Sequence, residues 1–122
     1  MTQKFMIPMK LPSLNEVNRV NRTHWSQGAK LKTEIESIIG WAIVNAQLKP
    51  VKKYPCKIGV VYYEPNKRRD IDNVYSSNKF ILDALQRQGI LKNDNPNCVS
   101  QIVNTVIYGK VDHYVEVEIV EC

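Results

Sequence analysis

The sequence predicts a small domain of the α+β class, a mixed α/β arrangement, and three observations carry that expectation. Segments rich in β-branched and aromatic residues alternate with segments whose apolar residues recur at helical spacing, in the order β-α-β-α-β-β. The 122 residues suffice for one domain, 1–122, with a single hydrophobic core. Hydrophobic residues at 43% and charged residues at 24% give a globular balance, which excludes a disordered or fibrous chain. The expected architecture is a mixed sheet flanked by two helices.

Taken in order, "KFMIPMK" (4–10) alternates as a first strand, and Pro8 points to a sheet edge. The stretch 11–25 is polar and rich in Asn, so it reads as a loop. From Ser26 to Leu48, Leu31, Ile35, Ile38, Ile39, Ala42 and Ala46 follow helical spacing, with Ser26 as N-cap and "KPVKKYP" (49–55) ending the helix. "CKIGVVYYEP" (56–65) is a strand. Residues 73–88 read as a second helix with the stripe Val74, Ser77, Ile81, Leu82 and Leu85, closed by Gly89 as C-cap. A loop at 90–97 follows, turned at its Asn-Pro step. Two last strands, 98–109 and 112–120, are expected to form a hairpin around Gly109-Lys110-Val111.

Charge and cysteine content narrow the function class. A formal net charge of +5 and a pI near 9.2 favour an anionic partner such as nucleic acid. Cys56, Cys98 and Cys122 are an odd number without metal-ligand spacing, which reads as free thiols of a reducing compartment. The first residues lack the apolar run of a signal peptide, and no stretch reaches the ~18 apolar residues of a membrane helix. A soluble, cytoplasmic protein with no membrane partner is expected.

The densest chemistry lies in "KRRDIDN" (67–73), where three cations run into two aspartates. In extended chain, residues two apart point the same way with Cα atoms roughly 6.6 Å apart, so Asp70 and Asp72 can converge on one hard cation. Magnesium is held by one or two protein carboxylates, with water and substrate phosphate filling the octahedron. Asp94 in "KNDN" (92–95) is the candidate third carboxylate. Lys67, Arg68 and Arg69 would offset the carboxylate repulsion and hold flanking phosphates. Asp72, Ser76, Lys79 and Asp83 follow at +4, +3 and +4 on one helix face, which brings Lys79 toward a phosphate oxygen. The competing reading is structural, because acidic residues before a helix serve as caps and dipole partners. A calcium EF-hand is excluded, since its required Gly and Glu positions hold Tyr75 and Ile81.

"RRDIDN", then "KFILDALQRQGIL", then "NDN", across about residues 67–101, resembles the Holliday junction resolvases of the RusA family. "LPSLNEVNR" (11–19) looks like that family's Pro-Ser-x-Asn segment, and "THWS" (23–26) like its lead into the first helix. The resemblance implies a homodimeric endodeoxyribonuclease that uses magnesium or manganese and nicks four-way DNA junctions symmetrically. It implies Asp70, Asp72 and Asp94 as metal-binding carboxylates and Lys79 as the catalytic lysine. Two departures stand out: Asn93 occupies a position where some members carry an aspartate, and Lys79 follows Asp72 by seven residues where the best-known member has four.

Asn15, Arg19 and Arg22 are the candidate DNA contacts in the expected N-terminal loop, with His24 beside them. Asp83 is assigned to a pair with Lys79 or Arg87 rather than to the metal. His113 reads as a surface residue, and Trp41 with Val44 as a second apolar patch on the first helix, either core or dimer interface. The expected function is a metal-dependent structure-selective endonuclease. The alternative is a junction- or duplex-binding protein that does not cut.

Overall fold

Strict two-residue alternation sets the sheet. In Cys56–Glu64 every second side chain is buried, from Cys56 through Ile58, Val60 and Tyr62 to Glu64, and Val115, Val117 and Ile119 repeat the pattern in Tyr114–Val120. Only one sheet face is therefore covered by helices. The computed structural model describes residues 1–23, 25–109 and 114–121, so the expectations for His24, His113, Cys122 and the Lys110-Val111 step lie outside the described residues. The elements are β1 (Thr2–Ile7), α1 (Leu14–Thr23), α2 (Trp25–Asn45), β2 (Cys56–Glu64), α3 (Ile71–Tyr75), α4 (Asn78–Arg87), β3 (Val99–Tyr108) and β4 (Tyr114–Val120). They form an α+β domain around one four-stranded mixed sheet.

The sheet order is β1-β4-β2-β3, with β4 antiparallel to both neighbours and β2 parallel to β3. The expected hairpin between the last two strands does not form, because β2 lies between them. β4 buries alternate apolar residues and pairs along both edges, whereas most side chains of β3 are exposed. The central place thus goes to the strand with the clean apolar face. Phe5, Val117, Val60 and Asn104 make one row across the covered face. β1 is an edge strand, as Pro8 suggested, and Pro8 itself falls just past its end.

The Asn-rich stretch 11–25 is not a loop; most of it is α1. Ser13 accepts the Glu16 amide on its hydroxyl at 3.1 Å, and its carbonyl accepts the Val17 amide at 3.2 Å. The Ser-x-x-Glu spacing of a capping box was the available signal. The next helix begins at Trp25, so Ser26 lies inside it rather than capping it. Ile35, Ile39, Ala42 and Ile43 form its buried stripe, while Ile38, Trp41 and Val44 face outward and Ala46 is exposed past the helix end.

The helix expected over 73–88 is two helices, α3 and α4, with Ser76 and Ser77 between them. The amides of Ser77 and Phe80 reach back only three residues, Ser77 to Val74 at 3.3 Å and Phe80 to Ser77 at 3.1 Å, and both serine hydroxyls bond backbone carbonyls. Phe80, Ile81, Ala84 and Leu85 bury one face of α4, each large side chain contributing about 1.5–3 kcal/mol. Gly89 at φ +73° ends it as expected: its amide bonds Gln86 and that of Ile90 bonds Leu85, the paired bonds of a Schellman cap. Among the described residues no helix is long and apolar enough to cross a membrane.

Under α4, the Tyr62 hydroxyl donates to Asn78 Oδ1, whose amide donates to Asn104 Oδ1 at 2.9 Å. Burial pushes the Tyr62 phenol well above its usual range, with nearby Arg69 opposing. The folded state therefore favours the protonated phenol, and its contribution is complete below the unfolded pKa of about 10 and lost as pH rises above it. Urea titrations from pH 8 to 11 are expected to show a stability loss at the alkaline end that is smaller in Tyr62→Phe. At neutral pH the same substitution should cost roughly 1–3 kcal/mol, because Asn78 Oδ1 is left without its donor.

Candidate functional site

Parallel pairing of β2 with β3 decides where the charged residues fall. The chain leaves β2 at Glu64, makes the turn carrying 67–73, runs back through α4, and enters β3 beside Cys56, whose amide bonds the Cys98 carbonyl at 2.8 Å. Asp70 and Asp72 therefore lie at the C-terminal end of β2. Asp94 lies at the other end, in a turn anchored by the Lys92 amide on the Tyr54 hydroxyl at 2.9 Å. The nine residues of β2 separate the two ends by about 26 Å, at ~3.3 Å per residue. Among the described residues no three His, Cys, Asp or Glu groups are gathered to hold a metal ion. Within one chain Asp94 does not join Asp70 and Asp72.

The Asp70–Asp72 turn is built from the strand end outward. Arg69 does not face solvent for a phosphate: its guanidinium binds the buried Glu64 carboxylate at 2.7 Å and the Leu11 carbonyl at 3.2 Å. Its Nε lies 3.8 Å from Glu16 of α1 without a hydrogen bond. A carboxylate buried at the end of an apolar strand requires a paired cation, and Arg69, five residues on, supplies it. This pair ties β2, the 11–13 segment and α1 to the residue just before Asp70. Asp70 then caps α3 by position but makes no side-chain cap bond. Both aspartates are exposed, and no hydrogen bond or ion pair to a described residue occupies either carboxylate.

A second set of bonds fixes the turn from the other side. Ser76 Oγ donates to the Asn73 carbonyl at 2.6 Å and accepts the Leu14 amide at 3.0 Å. Ser77 Oγ donates to the Pro12 carbonyl at 3.0 Å. Asn15, a candidate DNA contact, spends its amide on Asn73 Oδ1 at 2.8 Å, one residue from Asp72. Arg19 and Arg22, both exposed, follow Asn15 at +4 and +3 on the same face of α1. The cationic face of that helix thus begins at the aspartate turn.

Lys67 and Arg68 are exposed, and Lys67 Nζ sits 5.6 Å from the centre of the Tyr108 ring. The break at Ser76–Ser77 removes the single helix face expected for Asp72, Ser76, Lys79 and Asp83. Lys79 lies beyond the break, exposed, with its ammonium 3.9 Å from Asp83; Arg87 pairs instead with Glu36 at 2.6 Å. Lys79 and Asp83 line a cleft of about 350 Å³ between α1, α2 and α4, together with Asn18 and Lys32. Asn93 shapes its turn by accepting the Asp94 and Asn95 amides at 2.7 and 3.1 Å.

Two unpartnered carboxylates at one turn suit a hard cation that draws its other ligands from water and phosphate. The donor set at this turn fits magnesium as a partial shell; Asp94 does not complete it from the same chain. Sequence reasoning missed Glu64 and Glu16, and placed Ser76 and Ser77 on helix faces rather than at the backbone bonds they make. An acidic residue ending an apolar strand five positions before an arginine was the one signal for the first.

Replacing Arg69 by Met should destabilise the protein by about 3–5 kcal/mol in urea titrations, since the buried Glu64 carboxylate loses its cation. Lys67→Ala should stay within about 0.5 kcal/mol of wild type. In comparison with known proteins, the sequence matches no family model and no curated protein sequence.

Proposed function

We propose that this protein is a metal-dependent, structure-selective endodeoxyribonuclease of the RusA type that resolves four-way DNA junctions as a cytoplasmic homodimer, with magnesium as cofactor and manganese able to replace it. The observation that carries this reading is the Asn15–Asn73 hydrogen bond, which joins two unpartnered carboxylates to the cationic face of α1. A DNA strand lying along Arg19 and Arg22 arrives at Asp70 and Asp72 without crossing an acidic surface of that helix face.

In this mechanism Asp70 and Asp72 supply carboxylate oxygens to the metal ion. Magnesium bound there provides a Lewis acid for the phosphodiester and a water of lowered pKa. Lys67 and Arg68 hold the phosphates flanking the scissile bond, while Arg69 keeps the turn in place. Lys79, loosely paired at 3.9 Å, is able to swing toward a phosphate oxygen and stabilise the charge that develops on it. The separation of Asp94 fits the proposed dimer, because a second copy could bring its own Asp94 to the Asp70–Asp72 end. Two-fold symmetry would also supply two sites for the two nicks.

The same separation favours one other reading, a junction-binding protein that does not cut. The two are told apart by incubating a synthetic four-way junction and a linear duplex with magnesium or manganese, using wild type and Asp70→Asn. Paired nicks across the junction, lost in the variant and absent from duplex, are expected; binding without a nick in either metal would leave only the second reading. Arg22→Ala is expected to weaken junction binding and lower the slope of log affinity against log salt by about 0.9, the value for one phosphate contact.

A further inference from the structure

The cleft between α1, α2 and α4 opens beside the aspartate turn. Leu14 lines it and donates its amide to Ser76, while the next residue, Asn15, bonds Asn73. At about 350 Å³ it stands at the small end of ligand pockets, which run from roughly 300 to 1,000 Å³, so it admits one nucleotide-sized group and not a duplex. Leu14, Val17 and Phe80 give it an apolar floor. Its α2 wall is Gly28 and Ala29, whose small side chains leave width for a flat ring.

Polar groups complete the lining. Two lysines, Lys32 and Lys79, against one aspartate, Asp83, leave the cleft with net positive charge. Lys79 stands 3.9 Å from Asp83. No hydrogen bond or ion pair to a described residue occupies the Lys32 ammonium or the Asn18 side-chain amide. Asn15, Asn18 and Arg22 follow at +3 and +4 on one face of α1.

We infer that this cleft receives a single unpaired nucleotide from the branch point of the junction, base inward and phosphate at the two lysines. The inference rests on the DNA reading above and adds to it a means of telling a junction from a duplex. A strand lying along α1 passes Asn18, about 4.5 Å from Asn15 along the helix axis, just before it reaches Asp70 and Asp72. The apolar floor takes the ring, and the Asn18 amide offers a donor and an acceptor to its edge. Asp83 accepts from an exocyclic amine, and Lys32 and Lys79 meet the phosphate. Extruding a base from a duplex costs its pairing and stacking, whereas a base at a branch point has less to lose. The cleft therefore fills from a junction and not from a duplex.

A 2-aminopurine placed at the branch point reports the step, because its fluorescence rises when it leaves the stack. Without metal, wild type is expected to give a rise on binding the junction, and none with 2-aminopurine inside a linear duplex. Ala29 is an exposed helix position, and Ala29→Leu fills the cleft. That variant should match wild type in thermal unfolding and lose the rise. Its preference for junction over duplex should fall about tenfold, the effect of losing one base held by its edge. Asn18→Ala adds no bulk and should diminish the rise. No rise with bound wild type overturns the proposal, as does a rise kept by folded Ala29→Leu or left unchanged in Asn18→Ala. Failure to bind the junction overturns it too. Free deoxyadenosine monophosphate is expected to bind far more weakly than the junction; equal affinity, lost in Ala29→Leu, would make the cleft a mononucleotide site instead. Nicks with magnesium but no rise would leave the nuclease reading and remove this one, and a rise without nicks would do the reverse.

Discussion

Parallel pairing of β2 with β3 is the constraint on which the rest of the molecule depends. Two parallel neighbours cannot be joined by a tight turn, so the chain must travel the full length of the sheet between them. That return path is α3 and α4, which supply the apolar face covering β2 and β3. The same path carries the two acidic segments to opposite ends of the domain. A motif that looks contiguous over some twenty-five positions of sequence is therefore split in space. One end carries two exposed carboxylates beside cations, the other a single carboxylate on an Asx-shaped turn.

Polar groups placed where water cannot reach hold the aspartate turn in position. Glu64 closes β2 in the interior, and the Arg69 guanidinium at 2.7 Å offsets its desolvation. Ser76 and Ser77 give up helical continuity to bond the backbone of 12–14 and of Asn73. Through these bonds α1, the strand end and the turn form one rigid unit, with the exposed aspartates on its outside. The largely buried Arg69 stands directly before the exposed Asp70.

How much was legible followed from how local each cause was. β-Branched and aromatic composition identified the strand at Cys56–Glu64, because propensity needs no knowledge of the partner, while the face it buries emerged only in the fold. Gly89 identified the end of α4, since the left-handed conformation it adopts excludes most side chains. α1 escaped notice because its Asn-rich composition outweighed a Ser-x-x-Glu capping box that was present at 13–16. Asn15 and Arg69 were read as DNA contacts from their polarity, yet their partners, Asn73 and Glu64, are known only once the chain is folded.

The sequence by itself determined the class of fold, the extent of most elements, part of the apolar stripes of α2 and α4 (Ile35, Ile39, Ala42, Ile81 and Leu85), and the chemical character of the turn at 67–73. All of these rest on interactions spanning a few residues, where spacing and propensity suffice. The tertiary structure alone decided that β4 lies between β1 and β2, that the helix breaks at Ser76–Ser77, that Arg69 is buried, and that Asp94 stands a strand's length from Asp70. The physical reason is common to all four. Backbone hydrogen bonds between strands are chemically alike whichever strands make them, and a hydroxyl or guanidinium accepts many partners. Only the joint burial of the whole core selects among those alternatives.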